Sequence, residues 1–339
     1  MKSLNLLSSE EIYSISERVD FEIFAGQRIV VTGASGLVGG YLTYALLKCT
    51  AFLGEQAPKI IAVSRNGNFP YLQSLTRDDR MTFLKADLET KRMDFDFEIL
   101  IHAASVASPT QKSSIESIFN INCNLLKNTY TNPGSTQKVL FISTGEVYGS
   151  NAPKWVTEDF IGEIDSTTYR ANYPKAKLAG EKIVAELSKV GVEGRIARLF
   201  HSFGPGLRLD DGRSFADFLW AASARELPEL KTSGTQIRSF LYLEDSIVGL
   251  LKVLGSDVET PINVGSENEV SILDFAKNAS SIAGLKGKVD FNLNETTTTF
   301  SPNDVVLPST SRLRSLGWSQ KIDLNKGIGR TIDWIRSLS

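Results

Sequence analysis

The sequence predicts an α/β protein built on a doubly wound parallel sheet, with a smaller α/β lobe attached. From about residue 26, short runs of apolar and β-branched residues alternate with longer segments of helical periodicity. The runs are apolar throughout instead of alternating with polar residues, which is typical of parallel strands covered on both faces. Right-handed crossovers between such strands place helices on both sides of the sheet.

The individual elements can be located from these runs. The expected strands are Arg28–Thr32, Lys59–Val63, Thr82–Ala86, Phe97–Ile101, Lys138–Ile142 and Arg195–Leu199. An apolar-faced helix is expected over Leu37–Cys49, between the first two strands. Further helices are expected over Thr168–Lys189 and Ser214–Arg225.

The composition is that of an ordinary globular chain. Its 339 residues, at roughly 150 per domain, allow about two domains or one large unit with an appended lobe. Thirty-seven basic residues balance 39 acidic ones, so neither nucleic acid nor an anionic membrane is an expected partner. Two cysteines and two histidines leave little material for a metal site or a disulfide framework. We therefore expect a cytoplasmic protein without a metal.

A glycine-rich turn follows the first expected strand directly and opens the helix at Leu37. Gly33, Gly36 and Gly39 stand three residues apart, with Ser35 and Val38 between them. Such a turn lets the backbone approach a pyrophosphate, and the helix N-terminus offers unpaired N–H groups and a positive dipole end. Because it stands at the first strand–turn–helix unit, the pattern predicts a dinucleotide site.

The end of the second strand bears on which dinucleotide is bound. Ser64 and Arg65 stand where an acidic residue would hold a ribose 2′-hydroxyl. An arginine pairs with a 2′-phosphate, so this position favours NADP, while an arginine stacked on adenine in an NAD enzyme remains open. Asp87 follows the third strand and suits a hydrogen bond to adenine, although a helix N-cap is an equal alternative.

Tyr173 and Lys177 lie four positions apart at the start of an expected helix, so their side chains share one helical face. A nearby ammonium and the helix N-terminus both stabilise a phenolate, which makes the tyrosine a candidate base. Thr144 ends the fifth strand and brings a hydroxyl to the carboxyl edge of the sheet, where ligands bind in open α/β folds.

Taken together, these features resemble the extended short-chain dehydrogenase/reductases, in their nucleotide-sugar epimerase, dehydratase and decarboxylase group. The resemblance covers roughly residues 26–338 and is carried by the glycine turn, the Tyr173/Lys177 pair and six further segments. These are Ile101-His102-Ala103-Ala104-Ser105, Ser143-Thr144-Gly145-Glu146-Val147-Tyr148-Gly149, Phe203-Gly204-Pro205-Gly206, Asp211-Gly212-Arg213, Gly234-Thr235-Gln236-Ile237-Arg238-Ser239-Phe240 and Leu316-Gly317-Trp318. The resemblance implies a Rossmann-type NAD or NADP site, a nucleotide-diphosphate sugar as substrate, and a homodimer. The cofactor residues it implies are Gly33, Ser35, Gly36, Leu37, Val38, Ser64, Arg65, Asp87, Leu88, Ala103, Ala104, Tyr173 and Lys177.

The domain organisation follows from this resemblance and from a change in texture near residue 200. Residues 25–200 with 236–284 are expected to form the dinucleotide-binding domain, and residues 201–235 with 285–339 the substrate lobe. Residues 1–24 are expected to form an amphipathic helical extension that packs on the domain or contributes to an oligomer contact.

The mechanism implied by the resemblance begins with oxidation of a sugar at C4. Tyr173 would take the proton of the C4 hydroxyl, Thr144 would hydrogen-bond the same oxygen, and Lys177 would lower the tyrosine pKa and hold the nicotinamide ribose. The 4-keto sugar then epimerises, loses water or loses carbon dioxide. Glu146 can act on the acidic C5 position, as in dehydratases and decarboxylases of the group, whereas many epimerases lack this acid.

Gly145 stands where dTDP-glucose dehydratases have an aspartate, which counts against that subgroup. Because Glu146 is present, a dehydratase or a decarboxylase is still favoured over an epimerase. A C4 epimerase and an NADPH-dependent reductase of a keto sugar stay open. A cofactor-sensing regulator is disfavoured because Tyr173 and Lys177 are both present.

The substrate is expected to contact Ser105, His201, Arg213 and Arg238, with the two arginines on the diphosphate because a guanidinium fork matches phosphate oxygens. His201 stands where the group usually has asparagine. Leu307-Pro308-Ser309 replaces the usual Arg-Pro-Asp, and Ala107-Ser108-Pro109 is similar to a decarboxylase loop. His102 is expected to be structural.

Overall fold

The computed structural model describes residues 5–90, 93, 95–106, 113–165, 167–209, 212–292 and 305–338. The strands are β1 (Arg28–Thr32), β2 (Lys59–Ser64), β3 (Met81–Lys85), β4 (Ile99–His102), β5 (Lys138–Thr144), β6 (Trp155–Val156), β7 (Glu193–Leu199), β8 (His201–Phe203), β9 (Glu229–Leu230), β10 (Ile237–Arg238), β11 (Phe240–Tyr242), β12 (Ile262–Val264), β13 (Val270–Ser271), β14 (Asp290–Phe291) and β15 (Leu307–Pro308). The helices are α1 (Ser9–Ser16), α2 (Leu37–Cys49), α3 (Ile115–Thr131), α4 (Asn172–Ala185), α5 (Ser214–Ser223), α6 (Leu243–Gly255), α7 (Ile272–Ile282), α8 (Ser311–Ser315) and α9 (Leu324–Arg336).

The main sheet has the order β12-β7-β5-β4-β1-β2-β3, and every neighbouring pair is parallel. The strand order reverses between β1 and β4, so a crevice opens there at the carboxyl ends of the strands. The Rossmann-type fold expected from the sequence is confirmed.

The expected strands agree with the observed ones to within two residues at each end. Helix α2 has the expected bounds, and the expected Thr168–Lys189 helix is α4 with a short 3₁₀ turn at each end. Strand β12 was missed because it is only three residues long and contains a polar residue, Asn263. Asn263 is fully buried and accepts a hydrogen bond from the Tyr148 hydroxyl at 2.6 Å, which satisfies it inside the sheet.

A second hydrophobic core lies beside the sheet. Helices α5, α7 and α9 pack on one another around Phe203, Phe240 and Phe275, whose rings contact edge-on or tilted. The domain boundaries expected from the sequence remain a prediction. Helix α7 packs with α5 and α9 in this second core.

The N-terminal residues lie on the main core. Helix α1 begins with a capping box between Ser8 and Glu11 and packs against α2 and α6. Leu6, Ile15 and Phe24 are each at most 2% exposed.

Within the described ranges, no helix combines the length and apolar character needed to cross a bilayer, and no group of three or more histidine, cysteine or acidic side chains is arranged to hold a metal.

Candidate active site

The glycine turn between β1 and α2 has the backbone that a dinucleotide cradle requires. Gly33 has a φ of +66°, and a Cβ on it would lie 2.8 Å from the backbone of Ala104. A Cβ on Gly39 would lie 2.4 Å from the carbonyl oxygen of Gly33, so only glycine lets the helix pack this closely on the turn. Gly36 caps α2 without a side chain, so no side-chain oxygen caps the first-turn amides of Leu37 and Val38.

The other expected cofactor residues stand at the ends of neighbouring strands. The Ala34 amide donates to Val63 and the Ala86 amide donates to Ser64, which holds the ends of β1, β2 and β3 together. Ala103 and Ala104 follow β4 against Gly33, and the Ala104 amide donates to Thr32 Oγ1 at 3.2 Å.

Three of the expected cofactor residues at the strand ends, Ser64, Arg65 and Asp87, contact nearby side chains or backbone. The buried Ser64 hydroxyl donates to Asn66 Oδ1 at 2.8 Å. The half-exposed Arg65 lies 3.7 Å from a carboxylate oxygen of Glu89, and the Asp87 carboxylate accepts the Glu89 amide at 3.0 Å. Leu88 is buried in the core on this side of the sheet.

Thr144 and Tyr173 meet at the carboxyl edge of the sheet, where their side chains form a hydrogen bond. Tyr173 lies in the first turn of α4 and is 8% exposed. Burial, followed by the nearby Glu146 carboxylate, raises the pKa of Tyr173 to about 12. A hydrogen bond with the Thr144 hydroxyl and the guanidinium groups of Arg170 and Arg213 oppose this rise. In the ligand-free protein the phenol is therefore protonated at neutral pH.

Lys177 lies one helical turn beyond Tyr173 and is 2% exposed. Its Nζ donates to the Ile142 carbonyl at 2.7 Å and lies 6.0 Å from the centre of the Tyr173 ring. Burial lowers the pKa of Lys177 to about 7. Gly180 sets this position, because a Cβ there would lie 2.5 Å from the Phe141 ring and would push α4 off β5.

Glu146 is held by Arg170, a residue that the sequence analysis missed. Arg170 donates to the two carboxylate oxygens of Glu146 at 2.6 and 3.2 Å. The same guanidinium lies 5.0 Å from the centre of the Tyr173 ring, within cation–π range. The position of Arg170, three residues before Tyr173 at the start of an expected helix, is the signal that could have revealed it.

Gly145 separates Thr144 from Glu146 and packs against Phe200. A Cβ on Gly145 would lie 2.7 Å from the Phe200 ring. The absence of an acid at this position therefore has a steric basis, since any side chain would have to displace that ring.

A buried ion pair fixes α4 on the sheet behind these residues. Glu181, four residues after Lys177, accepts two hydrogen bonds from Arg198 at 2.8 and 3.0 Å and one from Ser143 at 2.5 Å. Arg198 also lies over the ring of Tyr148. Because both charges are buried and paired, this ion pair holds α4, which carries Tyr173 and Lys177, in one position on the sheet.

His102 is structural, as expected. Its Nε2 hydrogen-bonds the Ile121 carbonyl at 3.0 Å and its Nδ1 pairs with the Thr32 hydroxyl at 2.8 Å. A carbonyl can only accept, so Nε2 carries the proton and Nδ1 accepts from Thr32. Burial lowers the pKa of His102 to about 3, which keeps the ring neutral.

His201, Arg213 and Arg238 line one cavity of about 270 Å³ in the second core region. The cavity adjoins the catalytic cluster, because Arg170 and Arg213 act on both the Tyr173 phenol and the His201 ring. Burial, and then the guanidinium groups of Arg238, Arg213 and Arg170, lower the pKa of His201 to about 3. The ring is thus a neutral hydrogen-bonding group at physiological pH.

Two of the side chains that line this cavity have buried polar atoms without a hydrogen-bond partner among the described residues. The Nδ1 of His201 and the Nε2 of Gln236 are buried and have no hydrogen-bond partner in the part of the chain that the structure describes. Buried polar atoms are almost always paired, so such atoms indicate a missing ligand or water. Gln236 was not singled out from the sequence, although it stands two residues before Arg238.

The remaining expected substrate residues lie elsewhere or outside the described ranges. Ser105 follows β4 and donates to Asn122 Oδ1 at 3.2 Å, away from the lining of the cavity. Leu307 and Pro308 form β15, paired with β6. The Ala107-Ser108-Pro109 loop and Asp211 lie outside the described residues.

A dinucleotide cradle joined to a Thr–Tyr–Lys cluster on this sheet defines a nucleotide-dependent short-chain enzyme fold. The model of the NAD dependent epimerase/dehydratase family matches residues 29–265, and the chain belongs to this family. It is an enzyme of the extended short-chain dehydrogenase/reductase type, as expected.

Among curated proteins, the chain is similar to UDP-glucuronic acid decarboxylases. It is 27% identical over 322 residues to UDP-glucuronic acid decarboxylase 1 of Xenopus tropicalis, covering 91% of this chain and 72% of the relative. It is 28% identical over 318 residues to UDP-glucuronic acid decarboxylase 6 of Arabidopsis thaliana, covering 90% of this chain and 87% of the relative.

Solved structures share the fold. A UDP-glucuronic acid 4-epimerase from Bacillus cereus, in complex with UDP-glucuronic acid and NAD, matches with a TM-score of 0.76 and 23% identity, covering 92% of this chain and all of that one. A dTDP-glucose 4,6-dehydratase from Bacillus anthracis in complex with NAD matches with a TM-score of 0.74 and 18% identity, covering 92% and 97%.

Proposed function

We propose that this protein decarboxylates a UDP-linked uronic acid through a 4-keto intermediate, with NAD or NADP as a cofactor that is regenerated in each turnover. The observation that carries the proposal is the convergence of Thr144, Glu146, Tyr173 and Lys177 beside a cavity lined by Arg213 and Arg238. The similarity to UDP-glucuronic acid decarboxylases over about nine tenths of the chain supports the substrate class.

The donors around the glycine turn fit a dinucleotide. Gly33 and Gly36 bring backbone close to the start of α2, whose first-turn amides suit a pyrophosphate. Residues Ser35, Leu37 and Val38 would line this cradle, and Ala103 and Ala104 would lie under the nicotinamide half. Bound NAD would supply the hydride acceptor for C4 of the sugar. The Lys177 ammonium would hold the nicotinamide ribose.

The chain's own residues would move the proton of the C4 hydroxyl. Tyr173 takes this proton and Thr144 orients the same oxygen. The tyrosine needs help, because burial raises its pKa to about 12 in the ligand-free protein. The role of Lys177 in lowering that pKa is a proposal for the loaded site, and the Arg170 guanidinium, 5.0 Å from the centre of the phenol ring, partly offsets the Glu146 carboxylate.

The absence of an acid at position 145 favours decarboxylation over dehydration. Loss of water from a 4-keto sugar needs an acid that protonates the departing hydroxyl, whereas carbon dioxide leaves without one. Gly145 packs on Phe200 and supplies no acid. Arg170 pairs with Glu146, so the carboxylate of a uronic acid would meet a neutral ion pair instead of a second negative charge. Loss of carbon dioxide breaks the bond between C5 and the carboxylate and leaves an enolate, so C5 must gain one proton, which Glu146 would relay from solvent.

The nucleotide diphosphate would bind in the 270 Å³ cavity. Arg213 and Arg238 would pair with phosphate oxygens, as a guanidinium fork does. Gln236 Nε2 and His201 Nδ1 would gain the partners that they lack among the described residues. We also retain Ser105 as a candidate for the sugar, close to the end of β4.

The choice between NAD and NADP would be made at Arg65. Its half-exposed guanidinium suits a 2′-phosphate, as the sequence suggested, but the carboxylate of Glu89 lies 3.7 Å away and opposes a second negative charge there. Comparing the Kd of both cofactors in the wild type, Arg65→Ala and Glu89→Gln tests this assignment. A preference for NADP that rests on Arg65 would be lost in the first variant and strengthened in the second.

The reaction itself is tested by incubating the purified protein with UDP-glucuronic acid, UDP-glucose and dTDP-glucose, with NAD and in parallel with NADPH, and by reading product masses, chromatographic retention and NADPH absorbance. Loss of carbon dioxide from UDP-glucuronic acid alone is the expected result. Loss of water would indicate a dehydratase, and an isomer of unchanged mass an epimerase. Stoichiometric oxidation of NADPH would indicate a keto-sugar reductase. Any of these three results would overturn the proposal.

Three further expectations from the sequence stay predictions. These are the homodimer, formed through α4 and a second helix, the cytoplasmic location and the division into a cofactor domain and a substrate lobe. Sedimentation equilibrium of the purified chain tests the first. For the third, the packing of α7 against α5 and α9 favours a lobe that includes residues 272–282.

A further inference from the structure

The N-terminal strap, residues 5–24, contacts the start of α2 and the loop after β8 through its first residues. Leu6 is 2% exposed and belongs to the main core. A Cβ placed on Gly206 would lie 3.0 Å from Leu6 Cδ2 and 3.3 Å from Leu37 Cδ1. Leu6 therefore fills the space between the loop after β8, which carries Gly206, and the first residue of α2.

The same leucine also reaches the next residues of the cofactor helix. A Cβ on Gly40 would lie 3.8 Å from Leu6 Cδ1. Tyr71 completes this contact, since its ring also borders both Gly40 and Gly206. The side chain of Leu6 thus packs against the start of α2, directly behind the glycine turn.

Hydrogen bonds fix the backbone next to Leu6. The Tyr44 hydroxyl of α2 donates to Asn5 Oδ1 at 2.9 Å, and the Trp334 indole of α9 donates to the Asn5 carbonyl at 3.3 Å. Asn5 therefore ties the cofactor helix to a helix of the second core.

The rest of the strap is held by buried charges, which leaves Leu6 little freedom to withdraw. Tyr242 donates to Glu11 at 2.7 Å and Ser14 donates to Glu244 at 2.6 Å. Arg18 pairs with Asp245 at 2.6 Å. These partners are buried, so the pairs are little screened by solvent.

We propose that Leu6 is a positioning residue for the cofactor site: it fixes the start of α2 and the Gly206 loop relative to each other, so that the strap helps set the affinity for the dinucleotide. The proposal rests on the proposed cofactor site at the glycine turn. It requires no contact between Leu6 and the cofactor, because the effect passes through Leu37.

Direct binding of NAD, measured by calorimetry without any sugar, tests the proposal. Leu6→Ala should weaken NAD binding roughly tenfold, since small displacements behind a site change ligand alignment. Leu6→Met, which refills the volume, should restore the wild-type Kd. Leu6→Val provides a milder change if the alanine variant does not fold.

Ile15→Ala is the matched control. Ile15 is fully buried in the same core, but α1 lies near the far end of α2, where the Ile12 carbonyl contacts Cys49 Sγ at 3.6 Å. It should lower the Tm as Leu6→Ala does and leave the Kd for NAD unchanged. Equal weakening in both variants, or a wild-type Kd in Leu6→Ala, would overturn the proposal.

The outcome separates the strap from the proposed reaction. If the wild type binds NAD but decarboxylates nothing, the proposal for Leu6 can still stand on the binding data while the proposed function fails. If the wild type binds neither NAD nor NADP, the cofactor site is wrong and the proposal falls with it.

Discussion

The proposed cofactor cradle and the proposed substrate cavity are built in opposite ways. At the glycine turn the backbone forms the site: Gly33, Gly36 and Gly39 leave room that any Cβ would fill, and Gly36 caps α2 without a side-chain hydrogen bond. In the cavity, side chains from separate segments converge, and Arg213, Gln236 and Arg238 supply the polar atoms. A site formed by backbone accepts only glycine at its key positions. A site formed by side chains can have those side chains replaced without a change in the fold.

Tyr173 lies at the boundary between the two regions, and its replacement should have the largest effect. Tyr173→Phe removes the group that we propose moves the C4 proton, and we expect kcat to fall about 10²- to 10⁴-fold with little change in the Kd for NAD. Steady-state kinetics and calorimetry measure the two quantities. Tyr169→Phe, on a half-exposed tyrosine nearby, should retain wild-type activity. A Tyr173→Phe enzyme with wild-type kcat would contradict the mechanism.

Gly33→Ala tests the backbone half of the comparison. The new Cβ would meet the Ala104 backbone at 2.8 Å, and we expect NAD binding to weaken about 100-fold. Gly191→Ala is the control, since Gly191 has a similar φ of +76° but open space around a Cβ. It should cost about 1–2 kcal/mol of stability through backbone strain alone and leave NAD binding intact. If both variants bind NAD equally well, the close packing of the turn is not needed.

Arg238→Ala tests the side-chain half. Losing charge-assisted hydrogen bonds to a diphosphate should raise the KM for the nucleotide sugar about 10- to 100-fold, while the Kd for NAD stays the same. Arg77→Ala, an exposed arginine outside the lining of the cavity, should leave both constants unchanged. A parallel rise in the Kd for NAD would show that the two regions are not separable.

His201→Asn should have the smallest effect of these substitutions. It tests how the substrate cavity contributes to the pH dependence of stability. Burial lowers the pKa of His201 from 6.5 to about 3, so between these values the unfolded chain binds a proton that the folded chain does not. The free energy of unfolding therefore rises with pH across this window and falls again on acidification. Urea unfolding at several pH values should give a shallower dependence in the variant. An identical slope in both proteins would show that the ring titrates alike folded and unfolded.

The two regions also differ in how far the sequence predicts them. The cradle is contiguous, so Gly33 to Val38 could be located from their spacing after a strand. The position of Arg170 three residues before Tyr173 marks it as a candidate, but its pairing with Glu146 could not be predicted, because Glu146 is 24 residues away and only the 3₁₀ turn before α4 brings them together. Strand β12 escaped for a related reason: its three residues are stabilised by neighbours such as Tyr148, far along the chain. The strap was expected to pack, but its contact with Gly206 depends on tertiary structure alone.

The contact between Gly145 and Phe200 makes these two positions interdependent. An engineer who wished to add a dehydratase-like acid at 145 would gain nothing from that single change, since the aromatic ring 2.7 Å from the new Cβ blocks it. A smaller residue at position 200 would have to come first or together with it. The route from one reaction to the other in this chain therefore begins on a strand-end residue that touches no substrate in the proposed mechanism.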